Sequence, residues 1–197
     1  MDLTLLLDSS HQEMIIGIAQ NKTILASRRI DAWQRQSEWM MPKIVALLTQ
    51  TSATLKDVNQ IFVGAGPGSY TGTRIALTIA KVLALMNHVE VSLISSLHML
   101  ADGEKPTLVV MDARADRSYV GVYKGSKVIV SDTVWTNQQV LHYIQQHQDM
   151  IVRGYHPKLA LPLTIQDPFA MFLMLGLSQK KIFQLSDIKP YYVKEQS

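Results

Sequence analysis

The chain has 197 residues, of which 47% are hydrophobic and 18% charged, with a net charge of +3. That is enough apolar content to bury a sizeable core in one domain or two small lobes, and too little positive charge to specify a nucleic-acid groove by itself. No cysteine is present, which excludes disulfides, thiolate metal sites and thiol nucleophiles, and no apolar run reaches the length of a membrane span or a signal h-region, so a cytoplasmic protein is expected.

Leu3 to Leu25 reads as an apolar strand ending at Asp8, a polar turn, a second strand carrying Gly17, and a third strand around Thr23 to Ser27. Next comes a helix over Ser37 to Gln50, with Met40, Ile44, Leu47 and Leu48 at helical spacing and Pro42 near its first turn. A short apolar strand, Gln60 to Val63, then runs into the turn GAGPGSYTG, Gly64 to Gly72. Its glycines permit positive φ, Pro67 fixes its own φ, and Ser69 or Thr71 offers a hydroxyl to cap the helix that follows. Such a helix start can hold an anion. The Walker and dinucleotide patterns nonetheless fail, since no Lys follows a Gly here and Ser69 stands where a third Gly would be needed. The lipase-type elbow fails as well, because Pro67 and Thr71 flank Ser69 at the glycine positions.

Along the helix itself Gly72, Ala76, Ala80 and Ala84 recur every four residues and form a row of small side chains that lets another helix approach closely. Ile75, Ile79, Val82 and Met86 form a larger apolar row suited to the core. A helix with two usable faces fits either an internal position or a subunit contact.

From Thr107 to Val130 the first pattern recurs: apolar strand, Asp112, polar turn, strand with Gly121, and a third strand around Lys127. The Asp-to-Gly spacing is nine in both copies, and the copies lie 104 residues apart. Asn137 to Gln148 supplies the helix and Met150 to Val152, before Gly154, the following strand, so the order β-β-β-α-β occurs twice. Phe169 to Leu177 reads as the one further helix. The repeated unit resembles the plan of the actin, hexokinase and Hsp70 superfamily. It implies a duplicated α/β, actin-like (ribonuclease H-like) fold with lobes at 1–104 and 105–197, the second shortened.

GPGSYTGTRIALTIAK, Gly66 to Lys81, resembles the central motif of the TsaB (YeaZ) family. LLLDSS at Leu5, QSEWMMPKI at Gln36, SSLHMLA at Ser95, VMDARADRSYVGVY at Val110 and KPYYVK at Lys189 are similar to further family segments in the same order. Gln36 stands where the family usually has His, and Val193 and Lys194 where it has Leu and Arg. The resemblance implies a non-catalytic subunit without a cofactor. Its partners would be TsaD, which transfers a threonylcarbamoyl group to the adenosine beside the tRNA anticodon, and the ATPase TsaE, with tRNA met only through the complex. It also implies contact with TsaD, or with a second copy, through the helices around the glycine motif, nominating Gly72, Arg74, Ala76, Ala80, Leu83 and Ala84.

Chemistry of the chain's own has few candidates. The six histidines, at 11, 88, 98, 142, 147 and 156, include no pair four apart, the spacing that places two ligands on one helix face. His98 reads as a cap or surface residue. Asp8 and Asp112 are either strand-end carboxylates accepting turn amides or the groups that position a metal-bound nucleotide in active members of the superfamily. Arg114, Asp116 and Arg117 read as an exposed hairpin tip. A nucleotide-dependent ATPase or kinase is therefore the alternative, and a peptidase the weakest reading.

Overall fold

The computed structural model describes residues 2–32, 34–161, 167–182 and 184–193. Its first sheet holds β1 (Leu3–Asp8), β2 (Glu13–Gln20), β3 (Thr23–Asp31), β4 (Val58–Gly64) and β5 (Glu90–Ile94) in the order β3-β2-β1-β4-β5. β1 to β3 form an antiparallel meander, and β4 and β5 join β1 in parallel. The parallel crossovers are made by α1 (Gln36–Gln50) and α2 (Tyr70–Asn87), as parallel pairing demands. Pro42 lies deeper in α1 than the first turn and is exposed, so the amide it lacks is lost on the solvent side.

The second sheet repeats the plan with β6 (Thr107–Arg114), β7 (Arg117–Lys124), β8 (Lys127–Thr136) and, after α3 (Asn137–Gln146), β9 (Ile151–Tyr155), in the order β8-β7-β6-β9. The equal Asp-to-Gly spacing hides a difference in pairing. Gly17 faces Leu6, but Gly121 faces Val109, the counterpart of Leu5, because the second hairpin closes more tightly around residues 114–116, all at positive φ. Among the described residues this sheet has no counterpart of β5.

Alternation along β1 builds the core. Leu5 and Leu7 face α1 and α2, while Leu6 joins Phe62 and Ile94 on the opposite face, where they meet Val109, Met111 and Tyr123 of the second sheet. With both faces covered, β1 reads as a continuous apolar run. α4 (Phe169–Ser178) lies within this shared layer and packs on β5 and the short 3₁₀ turn His98–Leu100. Thus residues 105–155 carry the second sheet, while α4 returns to the first. The later chain stays there: Ile182 exchanges backbone hydrogen bonds with Val91, and the Tyr191 amide donates to Ala65 O at 2.6 Å. Gly176 has no room for a Cβ, which would overlap the Phe62 ring.

Candidate functional site

The turn after β1 and the glycine turn after β4 are pressed together. Ser69 N donates to Ser10 O at 2.8 Å, and Ser9 Oγ donates to Gly72 O at 2.6 Å. Cβ atoms at Gly64, Gly68 and Gly72 would collide with Asp8 Oδ2, Ser10 O and Ser9 O respectively, so close approach of backbones is what requires glycine here. Gly66 adds a φ of +95°. Ser69 caps α2 by accepting from Gly72 N at 3.2 Å, which resolves the choice between Ser69 and Thr71.

Asp8 sits beneath this contact with no exposed surface. Its Oδ1 accepts from Ser10 N at 3.0 Å and Ser10 Oγ at 2.8 Å, and its Oδ2 from Ser96 Oγ at 2.7 Å. Ser96 Oγ also accepts from Gly66 N at 3.0 Å, tying the loop after β5 into the same network. The carboxylate therefore satisfies turn donors, the arrangement expected of a strand-end Asp.

An open cleft of about 800 Å³ separates the two hairpin turns, with Ser10, His11, Gly68, Asp112, Arg114 and Tyr119 among its walls. Asp112 stands at its side with its carboxylate partly exposed, 3.6 Å from buried His156 Nε2. His156 Nδ1 accepts from Lys158 N and Leu159 N, which leaves Nε2 as the protonated nitrogen of the neutral ring, beyond hydrogen-bond distance of Asp112. The 114–117 tip is exposed, and Asp116 pairs with Lys158 at its outer edge. Among the described residues, no three His, Cys, Asp or Glu side chains gather in a way that could hold a metal ion.

The two rows of α2 divide differently from the sequence expectation, with the small row buried and the larger row split between core and solvent. Gly72, Ala76, Ala80, Leu83 and Ala84 are buried, the alanines against the first sheet, and only Arg74 of the nominated residues is exposed. Distance decides this at the helix start, where a Cβ at Gly72 would strike Ser9 O; further along, Leu77 and Leu83 are buried beside the alanines. Ile75 and Ile79 are half-buried and pack against the core of the first sheet, while the outward face carries Val82, Leu85 and Met86, exposed at 48%, 61% and 69%. Helical spacing showed both rows, but not which one the sheet would cover.

Beside this face the chain's last described segment forms a strap. Tyr192 Oη accepts from Arg74 Nη2 at 2.8 Å and its ring stacks on Tyr70 at 6.3 Å, while the Arg74 guanidinium covers the Tyr70 ring at 4.0 Å. Gln36 is buried in the first turn of α1. Lys194 lies outside the described residues.

His98 differs from the surface or capping residue expected. It is buried, stacked on Tyr123 at 4.1 Å, and its Nε2 donates to Gly125 O at 2.8 Å. Burial holds its pKa below the usual 6.5. Since the unfolded chain then binds the proton more readily, His98 contributes stability that is present above pH 6.5 and is lost as pH falls toward the depressed folded value. His98→Phe, which keeps the stacking, is expected to flatten the fall in urea midpoint below pH 6.5, as read by circular dichroism.

Arg153 is a second buried group that sequence reasoning passed over. Its Nη2 meets Asp102 Oδ2 at 2.8 Å across the joint between the sheets, while Nε and Nη1 are buried without partners among the described residues. Asp102→Ala is expected to cost about 3 kcal/mol by stranding the guanidinium, whereas Arg153→Met should cost less than about 1 kcal/mol or stabilise the fold. Urea unfolding of the two variants checks this ordering.

Two sheets, each opened by a β-hairpin and continued by a helical crossover to a parallel strand, define a duplicated, two-lobed actin-like α/β protein. The chain belongs to the family whose model is described as "TsaD: tRNA N6-adenosine threonylcarbamoyltransferase", matched over residues 30–190, and it is a member of the TsaB (YeaZ) family. It is 31% identical over 134 residues to the "tRNA threonylcarbamoyladenosine biosynthesis protein TsaB" of Bacillus subtilis, covering 66% of this chain and 58% of that protein. The protein of the same description from Escherichia coli is 31% identical over 97 residues, covering 46% and 42%. The matched part thus spans about three fifths or less of these relatives. A structure described as "YeaZ from Pseudomonas aeruginosa" has the same fold, with a TM-score of 0.77 at 20% identity, covering 98% of this chain and 100% of that one.

Proposed function

We propose that the chain is a partner subunit without chemistry of its own, which binds TsaD and supports threonylcarbamoyl transfer to the adenosine beside the tRNA anticodon, with TsaE as the further component. The observation that carries the reading is the burial of Asp8. A carboxylate whose oxygens already accept from Ser10 and Ser96 has no face left toward the interlobe cleft. Support for a tRNA-modification role comes from the relatives named as threonylcarbamoyladenosine biosynthesis proteins. Support for a docking role comes from α2, whose outward row of Val82, Leu85 and Met86 is the kind of apolar face that a partner helix covers. A second copy of the chain would use the same face when TsaD is absent.

The test is reconstitution. The purified chain is mixed with TsaD from the same source, complex formation is followed by sedimentation, and tRNA modification is assayed with TsaE and the threonylcarbamoyl donor. A stoichiometric complex that is required for modification, while the chain alone turns over nothing, supports the proposal. The interlobe cleft favours one alternative, a nucleotide-dependent ATPase or kinase. ATP hydrolysis by the chain alone, abolished by a bulky Ala113→Trp substitution in the cleft wall, would replace the partner reading with that one.

A further inference from the structure

We propose that a second cavity at the lobe junction, separate from the cleft, binds a small organic cation: a primary ammonium carried on a short apolar body. The cavity has a volume of about 290 Å³ and shares no wall residue with the interlobe cleft. Leu93 and Ser95 reach it from the first lobe, Val128 and Asp132 from the second, and Leu175 from α4.

Asp132 is the anchor. Its Oδ2 accepts from Ser95 Oγ at 2.6 Å and its Oδ1 from the Tyr123 phenol. Both donors are neutral. A carboxylate has about four acceptor directions, and with its own backbone amide as a third donor one or two stay unused, while the side chain is part of the cavity wall. Among the described residues no Lys or Arg lines the cavity, and neither Ser95 nor Tyr123 supplies a compensating charge. His98, stacked on Tyr123, is committed through Nε2 to Gly125 O, and burial favours its neutral form. Burial also pushes the Asp132 carboxyl above the ordinary carboxylate range, as expected for an anion lacking a cation.

A small cavity with mainly apolar walls and few convergent polar groups is the usual form of a ligand site. Here the apolar walls are Leu93, Val128 and Leu175, and the polar end carries a single negative charge. An ammonium group donating to the unused Asp132 directions would form the charge-assisted bonds that the protein's own residues leave unmade, with the alkyl body against the apolar walls. A neutral alcohol of equal size would gain only the apolar contact and an ordinary hydrogen bond. This inference is independent of whether the chain is a TsaD partner.

The test titrates n-butylammonium chloride into the intact protein at neutral pH, followed by NMR, with n-butanol as the neutral isostere. Saturable binding of n-butylammonium at least tenfold tighter than of n-butanol is expected, with shifts at Ser95, Val128 and Asp132. Asp132→Asn, which keeps one acceptor oxygen and offers an NH2 to the other hydroxyl, whose oxygen can turn to accept it, should remove that tenfold preference. Val128→Trp, placed at a half-exposed position on the rim, should block both probes while leaving the carboxylate in place. Equal affinity for the two probes, unchanged n-butylammonium binding in either folded variant, or no saturable binding to the native protein would overturn the proposal.

Discussion

Val82→Arg combined with Leu85→Glu is expected to leave the isolated chain folded, with its melting temperature unchanged within about 2 °C, and to weaken binding to TsaD by about a hundredfold or more. Both side chains are already largely in water, at 48% and 61% exposure, so charges there cost the monomer little. In a complex that covers the α2 face, the two new charges, three residues apart on one helix, could pair only with each other, and taking such a pair out of water still costs several kcal/mol. Ala80→Arg behaves differently. Ala80 has no exposed surface and packs in the layer between α2 and the first sheet, so the larger residue must displace the helix. That variant is expected to unfold, and its failure to bind would say nothing about an interface. Sedimentation with TsaD, alongside a thermal scan of each free variant, separates the two effects. Full-affinity binding by the folded Val82→Arg/Leu85→Glu protein would remove this face from the proposed contact.

Asp8→Ala is expected to be among the most destabilising single substitutions, costing about 3 kcal/mol or more, because it strands the buried donors Ser10 N, Ser10 Oγ and Ser96 Oγ. Gly64→Ala should be damaging for a related reason, since its Cβ would overlap Asp8 Oδ2 and press on Ser96 Oγ at 2.9 Å. The two losses share one site and will not add. Removing the carboxylate opens space for the new methyl, so the double variant should be more stable than the sum of the single effects predicts by about 1 kcal/mol or more. Urea unfolding of the three variants closes the cycle. Strict additivity would mean that Asp8 is not what holds the glycine turn against β1, and the structural role assigned to it would fail. The same variants bear on function, because a purely structural Asp8 lowers activity only in proportion to the folded fraction.

The segments with strong local constraints were legible from sequence. The period-two and helical patterns placed both meanders and both crossover helices, the nine-residue Asp-to-Gly spacing exposed the duplication, and the glycine turn declared itself through Gly64, Gly66, Gly68 and Gly72 around Pro67. These features depend on neighbours in the chain, and periodicity records them. Which face of α2 turns inward is not a local property. Both of its rows are apolar, and the small one turned inward with Leu77 and Leu83 because the Ser9 to Ser10 turn presses on the helix start at Gly72 and sets which side meets the sheet. Asp8 likewise carries two readings in one dimension. Only the fold brought Ser96, 88 positions away, to its second oxygen and closed it off from the cleft. Asp132 had no sequence signal, and Ser95 and Tyr123, although inside segments that resemble the family, carried nothing that linked them to it or to each other. Their meeting across the lobe junction was decided by how two sheets and α4 pack into one shared layer.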